Sequence, residues 1–208
     1  MKSTYRIFQE SVRAVTDYYL LLVDETRRER LVGSTNEWVL DNYYMISEQE
    51  KVLRVELKGR EFRRIPAERR ALLESMLCDY LTACHHQLDK SLLFAHLMRE
   101  QERRNDYLNY PEVCALLPLV KCLLLRQLAD LCRALRQEGA YRYKPTDKSL
   151  SDMEHLDHVS QQNLLMMNIF NSLKKMTRVQ MSELIDAVSF SERMLKKEHA
   201  GMYDQMYF

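Results

Sequence analysis

Turn punctuation is scarce in this sequence: four glycines and four prolines are spread over 208 residues. Average usage would supply roughly 7% glycine and 5% proline. A chain with so few turns must spend its length in long regular elements. Twelve methionines and many Leu, Glu, Arg and Gln fill those elements, and such straight side chains lose little rotamer freedom in a helix. Few stretches alternate Val, Ile or Thr with polar residues, as half-buried strands do. The sequence therefore predicts an all-α fold, a compact bundle of about seven helices without a sheet. It reads as one domain over residues 1–208, with a subdivision conceivable only at the 139–150 loop.

Helical periodicity divides the chain. A first helix spans about residues 3–30, with Ile7, Val12, Val15, Tyr19, Leu22 and Val23 as its apolar stripe. Its Arg27, Arg28 and Arg30 crowd the negative end of the dipole. Gly33 stops it, and Ser34-x-x-Glu37 reads as a capping box for a second helix to about residue 57. Lys58-Gly59 ends that helix, and Pro66 suits the first turn of a third, to about residue 85. Asp89 can cap a fourth, to about residue 104, and residues 105–111 form a connector. Residues 112–137 are helical, with Pro118 either kinking the helix or opening a new one. Beyond Pro118, Leu119, Val120, Leu123, Leu124, Leu125, Leu128 and Leu131 lie almost all round, which predicts the central, most buried helix. After the 139–150 loop, Ser151-x-x-Glu154 and Thr177-x-x-Gln180 are expected to cap the last two helices, to about residues 176 and 197. No internal repeat is present.

Charge and cysteine usage narrow the function classes. Thirty-one basic and 30 acidic side chains leave a net charge of +1, so no global field draws the chain to nucleic acid or membrane. The start, MKSTYRIFQESVRAV, lacks the apolar core of a signal peptide. The longest apolar stretch, residues 114–125, contains Pro118 and Lys121 and falls short of the ~20 residues a span requires. Five cysteines (Cys78, Cys84, Cys114, Cys122, Cys132) at scattered spacings read as reduced, mostly buried thiols in a cytosolic setting.

The chemistry-bearing patterns are thin. No two aspartates are separated by a single residue, and no strand–helix alternation suggests a sugar-nucleotide transferase. Four scattered glycines exclude phosphate-cradling loops. Glu154, Asp157 and His158 share one helical face, with His155 beside them, and make the best metal candidate. A cap and a helix start already explain Glu154, so no metal and no cofactor is assigned. Adjacent His85 and His86 read as a polar helix end. Arg60, Arg63, Arg64, Arg69 and Arg70 form the densest basic run, interleaved with Glu61 and Glu68. They read as a solvated face, or as a contact surface for anionic lipid headgroups or another domain, with Tyr141 and Tyr143 of the long loop as further contact candidates. Nucleic acid is disfavoured, because no aromatic platform accompanies the arginines. In the second helix Asn42 falls on the Trp38 stripe, which predicts a buried, hydrogen-bonded amide and a structural lock formed by Trp38, Asp41 and Asn42.

Three segments carry a resemblance. Ser34-Thr-Asn-Glu-Trp-Val-Leu-Asp-Asn-Tyr-Tyr-Met-Ile-Ser-Glu-Gln49 resembles the signature E-W-L-L-D-N-[FY]-[HY]-x-I-x-E-Q near the amino end of cyclic β-1,2-glucan synthases. Glu37, Trp38, Asp41, Asn42, Glu48 and Gln49 are among its matching residues. Glu61-Phe-Arg-Arg-Ile-Pro66 is similar to the family's Y-Y-R-E-L-P. Glu192-Arg-Met-Leu-Lys-Lys-Glu-His-Ala-Gly-Met-Tyr-Asp-Gln-Met-Tyr-Phe208 resembles E-x-x-L-R-x-D-P-A-G-x-Y-x-x-M-D-F, with His199 in place of Pro and Tyr207 in place of Asp. The middle of the chain, around Leu117-Pro118, is similar only loosely to the family's leucine-rich helix.

The resemblance implies a large parent enzyme whose glycosyltransferase, membrane-spanning and phosphorylase-like regions lie beyond this segment. Its last motif normally continues into a Thr-Arg-Asp run, so a longer protein or a truncated product is expected past Phe208. It also implies a place on the cytoplasmic side of the bacterial inner membrane, with the remainder of the parent synthase as partner. The expected role is non-catalytic support or regulation. A sugar-nucleotide-binding or catalytic accessory domain and a free-standing adaptor are the alternatives.

Overall fold

The computed structural model describes residues 3–29, 33–139 and 151–189, side chains of 151–158 excepted. Among these residues there are eight helices and no strand, so the all-α expectation holds. They are α1 (Thr4–Arg27), α2 (Ser34–Glu56), α3 (Arg60–Arg64), α4 (Ala67–Ala83), α5 (Lys90–Arg104), α6 (Tyr110–Gln137), α7 (Ser151–Met176) and α8 (Met181–Val188). None is long and apolar enough to cross a membrane.

The fold is organised around α6, which packs against α1, α2, α3, α4, α7 and α8. Every residue from Ala115 to Leu125 on it is buried, as the all-round apolar pattern predicts. Pro118 neither breaks α6 nor starts a new helix; the helix runs through it as one element. A proline inside a helix forfeits a hydrogen bond at a cost of about 3 kcal/mol, which burial of the surrounding leucines offsets.

The start of α6 lies two residues earlier than the sequence suggests. The Asn109 side chain accepts from the Glu112 backbone N–H at 3.1 Å, and the Glu112 carboxylate accepts from the Asn109 N–H at 2.9 Å. With Pro111 in the first turn, this is a complete capping box. One turn upstream, Asn105 closes α5 in the left-handed region at φ 49°, a conformation Asn tolerates better than most residues.

Two expected boxes do not form. Gly33, in extended conformation, is the N-cap of α2, and its carbonyl accepts the Asn36 N–H at 2.9 Å. Ser34 is thus already inside the helix and cannot cap it. Thr177 points backward, its hydroxyl donating to the Lys174 carbonyl at 2.8 Å. Gln180 is then the N-cap of α8, which stops at Val188, well short of residue 197. Helix α7 is described from Ser151, and the side chains of its expected capping box lie outside the described residues.

Gly59 does more than end α2. It caps the short helix α3, and a Cβ there would sit 3.0 Å from the Glu56 carbonyl oxygen, so any side chain would require this turn to give by a few tenths of an ångström. On α1 the buried stripe is Phe8, Val12, Val15, Tyr18 and Leu22. It is rotated slightly from the expected one, which leaves Ile7, Tyr19 and Val23 half-buried at its edge.

If α6 is the packing centre, Leu124→Ala, at a fully buried position, will cost about 2–5 kcal/mol in thermal or urea unfolding. Leu20→Ala, at a position 56% exposed on α1, will stay within about 0.5 kcal/mol of the parent chain.

Candidate functional site

The signature on α2 divides between two faces. Trp38 is half-buried against the core and Gln49 is buried, whereas Glu37, Asp41 and Glu48 are exposed. Asn42 is half-buried, and its amide donates to the Trp38 carbonyl at 2.9 Å, within its own helix. The lock expected of Trp38, Asp41 and Asn42 is therefore local and does not join helices. The interhelical amide is Asn36, 1% exposed, whose side-chain oxygen accepts the buried Tyr18 hydroxyl at 2.6 Å. Two turns along α2, Tyr43 stacks on Tyr19 (centroids 3.9 Å apart, planes 6° apart) and shares a 2.9 Å hydrogen bond with Thr16. Together these contacts fix the register of α2 against α1. The sequence hid Asn36 because it falls in the first turn, where an amide reads as part of a cap.

The basic run is split by the fold. Arg60, Arg63 and Arg64 lie exposed on α3, with Arg64 paired to Glu61 at 3.4 Å. Arg70 lies over the Phe62 ring, 5.7 Å from its centroid. Arg69 is not a surface contact. It makes a fork to the buried carboxylate of Glu112 at 2.5 and 3.1 Å and also bonds to Asp106. The Glu112 bond, above all, holds the Arg69 guanidinium well above its usual pKa. This pair ties α4 to the capping box that opens α6. Glu112 is 1% exposed, so it satisfies an arginine and a helix start with one carboxylate.

The turn after α4 is held from across the bundle. His85 and His86 both take positive φ, 48° and 60°, which is costly for residues with a Cβ. Helix α7 secures them: Asn168 donates to the His85 carbonyl at 3.0 Å and Ser172 to the His86 carbonyl at 2.6 Å. Ser172 also accepts the Leu88 N–H at 2.8 Å, and the Lys175 ammonium donates to the Leu88 carbonyl at 2.9 Å. Burial, then the neighbouring His85 charge, lowers the His86 pKa. Gln101 plays a similar part between α5 and α8, donating to the Val188 carbonyl and accepting the Leu108 N–H. Periodicity gives no sign of these polar grips, because each partner is more than 80 residues away in all but one case.

The clefts are shallow seams between helices. One of about 600 Å³ runs between α1 and α2 and is lined by Arg6, Glu10, Arg13, Asp17, Glu50 and Arg54 among others. Glu10 and Glu50 are paired with Arg6 and Arg54 on their own helices, at 3.1 and 2.5 Å. A cleft of about 240 Å³ between the 84–88 turn and the end of α7 is cationic, with Lys174, Lys175 and Arg178. Its Lys175 already serves a backbone carbonyl. Acid–base work rests on neighbouring carboxyls driven to different pKa values. Burial raises the Glu56 carboxyl, with the Lys121 ammonium 3.9 Å away opposing the shift. Arg103, chiefly, draws Glu100 down to about 2. These two acids lie on different helices and line neither cleft.

Among the described residues no group of three or more His, Cys, Asp or Glu side chains is placed to hold a metal ion. The side chains of Glu154, Asp157 and His158, like Tyr141, Tyr143 and the third motif, lie outside the described residues. The five cysteines are free thiols, and burial pushes Cys132 up to about 12 and Cys122 higher still. No protein-family model matches the chain, and no curated protein matches it either.

Two measurements probe these contacts. Arg69→Met leaves Glu112 as an uncompensated buried charge and will cost on the order of 3 kcal/mol in unfolding free energy, whereas Arg63→Met will be near neutral. Because the folded His86 pKa lies below its ordinary value near 6.5, the unfolded chain binds the extra proton. Stability will therefore fall as pH drops through 6.5 toward the folded value, and His86→Asn will flatten that slope in pH-dependent melts.

Proposed function

We propose that this chain is a non-catalytic helical domain of a cyclic β-1,2-glucan synthase, supporting or regulating the parent enzyme from the cytoplasmic side of its membrane. The observation that carries this reading is where two of the resembling segments fall. Val39, Ile46 and Gln49 of the first and Phe62 and Ile65 of the second are buried in one core, with Trp38 packed against it. Both segments thus belong to the structural scaffold, and α3 packs directly on the central helix. A segment whose apolar positions build a core while Glu37, Asp41 and Glu48 stay exposed has its role in presenting a surface. Two of the acids lining the α1–α2 cleft, Glu10 and Glu50, are engaged with arginines, which also favours support over turnover.

In this reading the remainder of the parent synthase is the partner, and exposed Arg60 and Arg63 are the residues best placed to meet anionic lipid headgroups. Two assays test it. Removing residues 1–208 from the full-length synthase should impair its membrane assembly, chain elongation or ring closure, each measured separately. The isolated chain should leave a nucleotide-activated sugar donor unconsumed; release of free nucleotide by the purified chain would overturn the non-catalytic reading.

A further inference from the structure

The outward face of α2 packs against no other helix among the described residues. Glu37, Asp41, Tyr44, Glu48, Lys51 and Val55 are all exposed, Tyr44 by 57% and Val55 by 74%. They recur at steps of four, three, four, three and four residues, the spacing of a helix–helix seam. At 100° per residue they fall within an arc of about 80° and extend for about 27 Å. Val52, 43% exposed, flanks the same stripe. Among the described residues, Glu37, Asp41, Glu48 and Lys51 have no ion pair or hydrogen bond with another side chain. Glu37 and Asp41 are like charges one turn apart, an arrangement that weakens a helix unless a cation faces it.

From this pattern we infer that the exposed face of α2 is a self-association surface, on which a second copy of the chain lies antiparallel. The step pattern reads the same in both directions. A two-fold axis at the level of Ile46 therefore sets residues whose numbers sum to 92 opposite one another: Asp41 with Lys51 (41 + 51), Tyr44 with Glu48 (44 + 48) and Glu37 with Val55 (37 + 55). Each contact occurs twice, as an isologous interface requires. Asp41 then meets the ammonium of Lys51 from the second copy once on each side of the axis. The Tyr44 hydroxyl donates to the Glu48 carboxylate of the other copy, and Val52 is covered at the flank.

Charge separates this occupant from others. A basic partner helix would place its cations against Lys51 within the seam. An anionic lipid surface would be repelled by three carboxylates. A second copy in this register opposes Lys51 with an acid and Glu48 with a hydroxyl donor. One helix pair buries less than the ~800 Å² per partner of a standard interface, so the dimer is weak, with a dissociation constant on the order of 100 μM. The inference is independent of the glucan-synthase reading.

Sedimentation equilibrium of the whole chain between about 10 μM and about 1 mM will show a monomer–dimer equilibrium in this range. Asp41→Lys places two cations face to face on each side of the axis and will weaken the dimer at least about tenfold. Lys51→Asp alone will do the same, and the double exchange Asp41→Lys/Lys51→Asp will restore association to within about threefold. Circular dichroism will be unchanged, since both residues are exposed. A chain that stays monomeric at about 1 mM overturns the proposal. So does a dimer indifferent to Asp41→Lys and Val55→Asp, which would place the interface elsewhere, and so does a double exchange that fails to rescue.

Discussion

Burial of α6 is the constraint from which the rest of the molecule follows. A helix apolar on nearly all sides cannot sit at a surface, so other elements must enclose it. Six of the other seven helices do so directly. Their shape is secondary to that demand: α3 is only five residues long, too short to be stable alone, and persists because Phe62 and Ile65 bury against the centre. The entry point of α6 is equally fixed. Glu112 completes a capping box and receives the Arg69 fork, so one carboxylate sets where the central helix begins and how α4 lies against it. A buried charge is tolerable only when its hydrogen bonds are filled, and here they are filled by two separate elements.

Around that apolar centre, polar side chains settle the connections. The left-handed His85–His86 turn would be unfavourable on its own, yet α7 supplies an amide, a hydroxyl and an ammonium to its carbonyls. Gln101 joins α5, α8 and the loop before α6 in the same way. Directional bonds of this kind contribute about 1 kcal/mol each to stability. Their larger effect is specificity, because a core of interchangeable leucines would permit alternative registers and these bonds permit one.

The difference between what is readable in the sequence and what is not has a physical basis. Fold class and the identity of the central helix are legible in scarce glycine and proline and in the unbroken apolar run after Pro118, since both depend on local composition. Asp89 is legible as a cap because its partner, Leu92, is three residues away. Ser34 and Thr177 satisfy the same local pattern and fail, for Gly33 and Gln180 take the capping positions. Chain direction into the helix decides that competition, and a four-residue pattern does not encode it. Asn36, Arg69, Ser172 and Gln101 are illegible for another reason: their partners come together only when the chain has folded. The arginine run illustrates the point, since five similar residues divide into exposed, ring-stacked and core-anchoring roles according to which way α3 and α4 face.

Helix α2 joins the two halves of the argument. Its inner face, from Val39 through Ile46 and Gln49 to Leu53, is buried and bound to α1 by the Tyr18–Asn36 bond and the Tyr19–Tyr43 stack. Stability alone requires that face and is indifferent to the opposite one. An outer face left to solvent would be expected to carry compensated charges, as Arg54 and Glu50 do on the neighbouring stripe. Among the described residues it instead places acids and a lysine without side-chain partners, a tyrosine and two valines along a single seam. Two neighbouring stripes of one helix thus follow different charge rules, and contacts among the described residues account for only one of them. The other is the stripe whose charges the proposed second copy would complement.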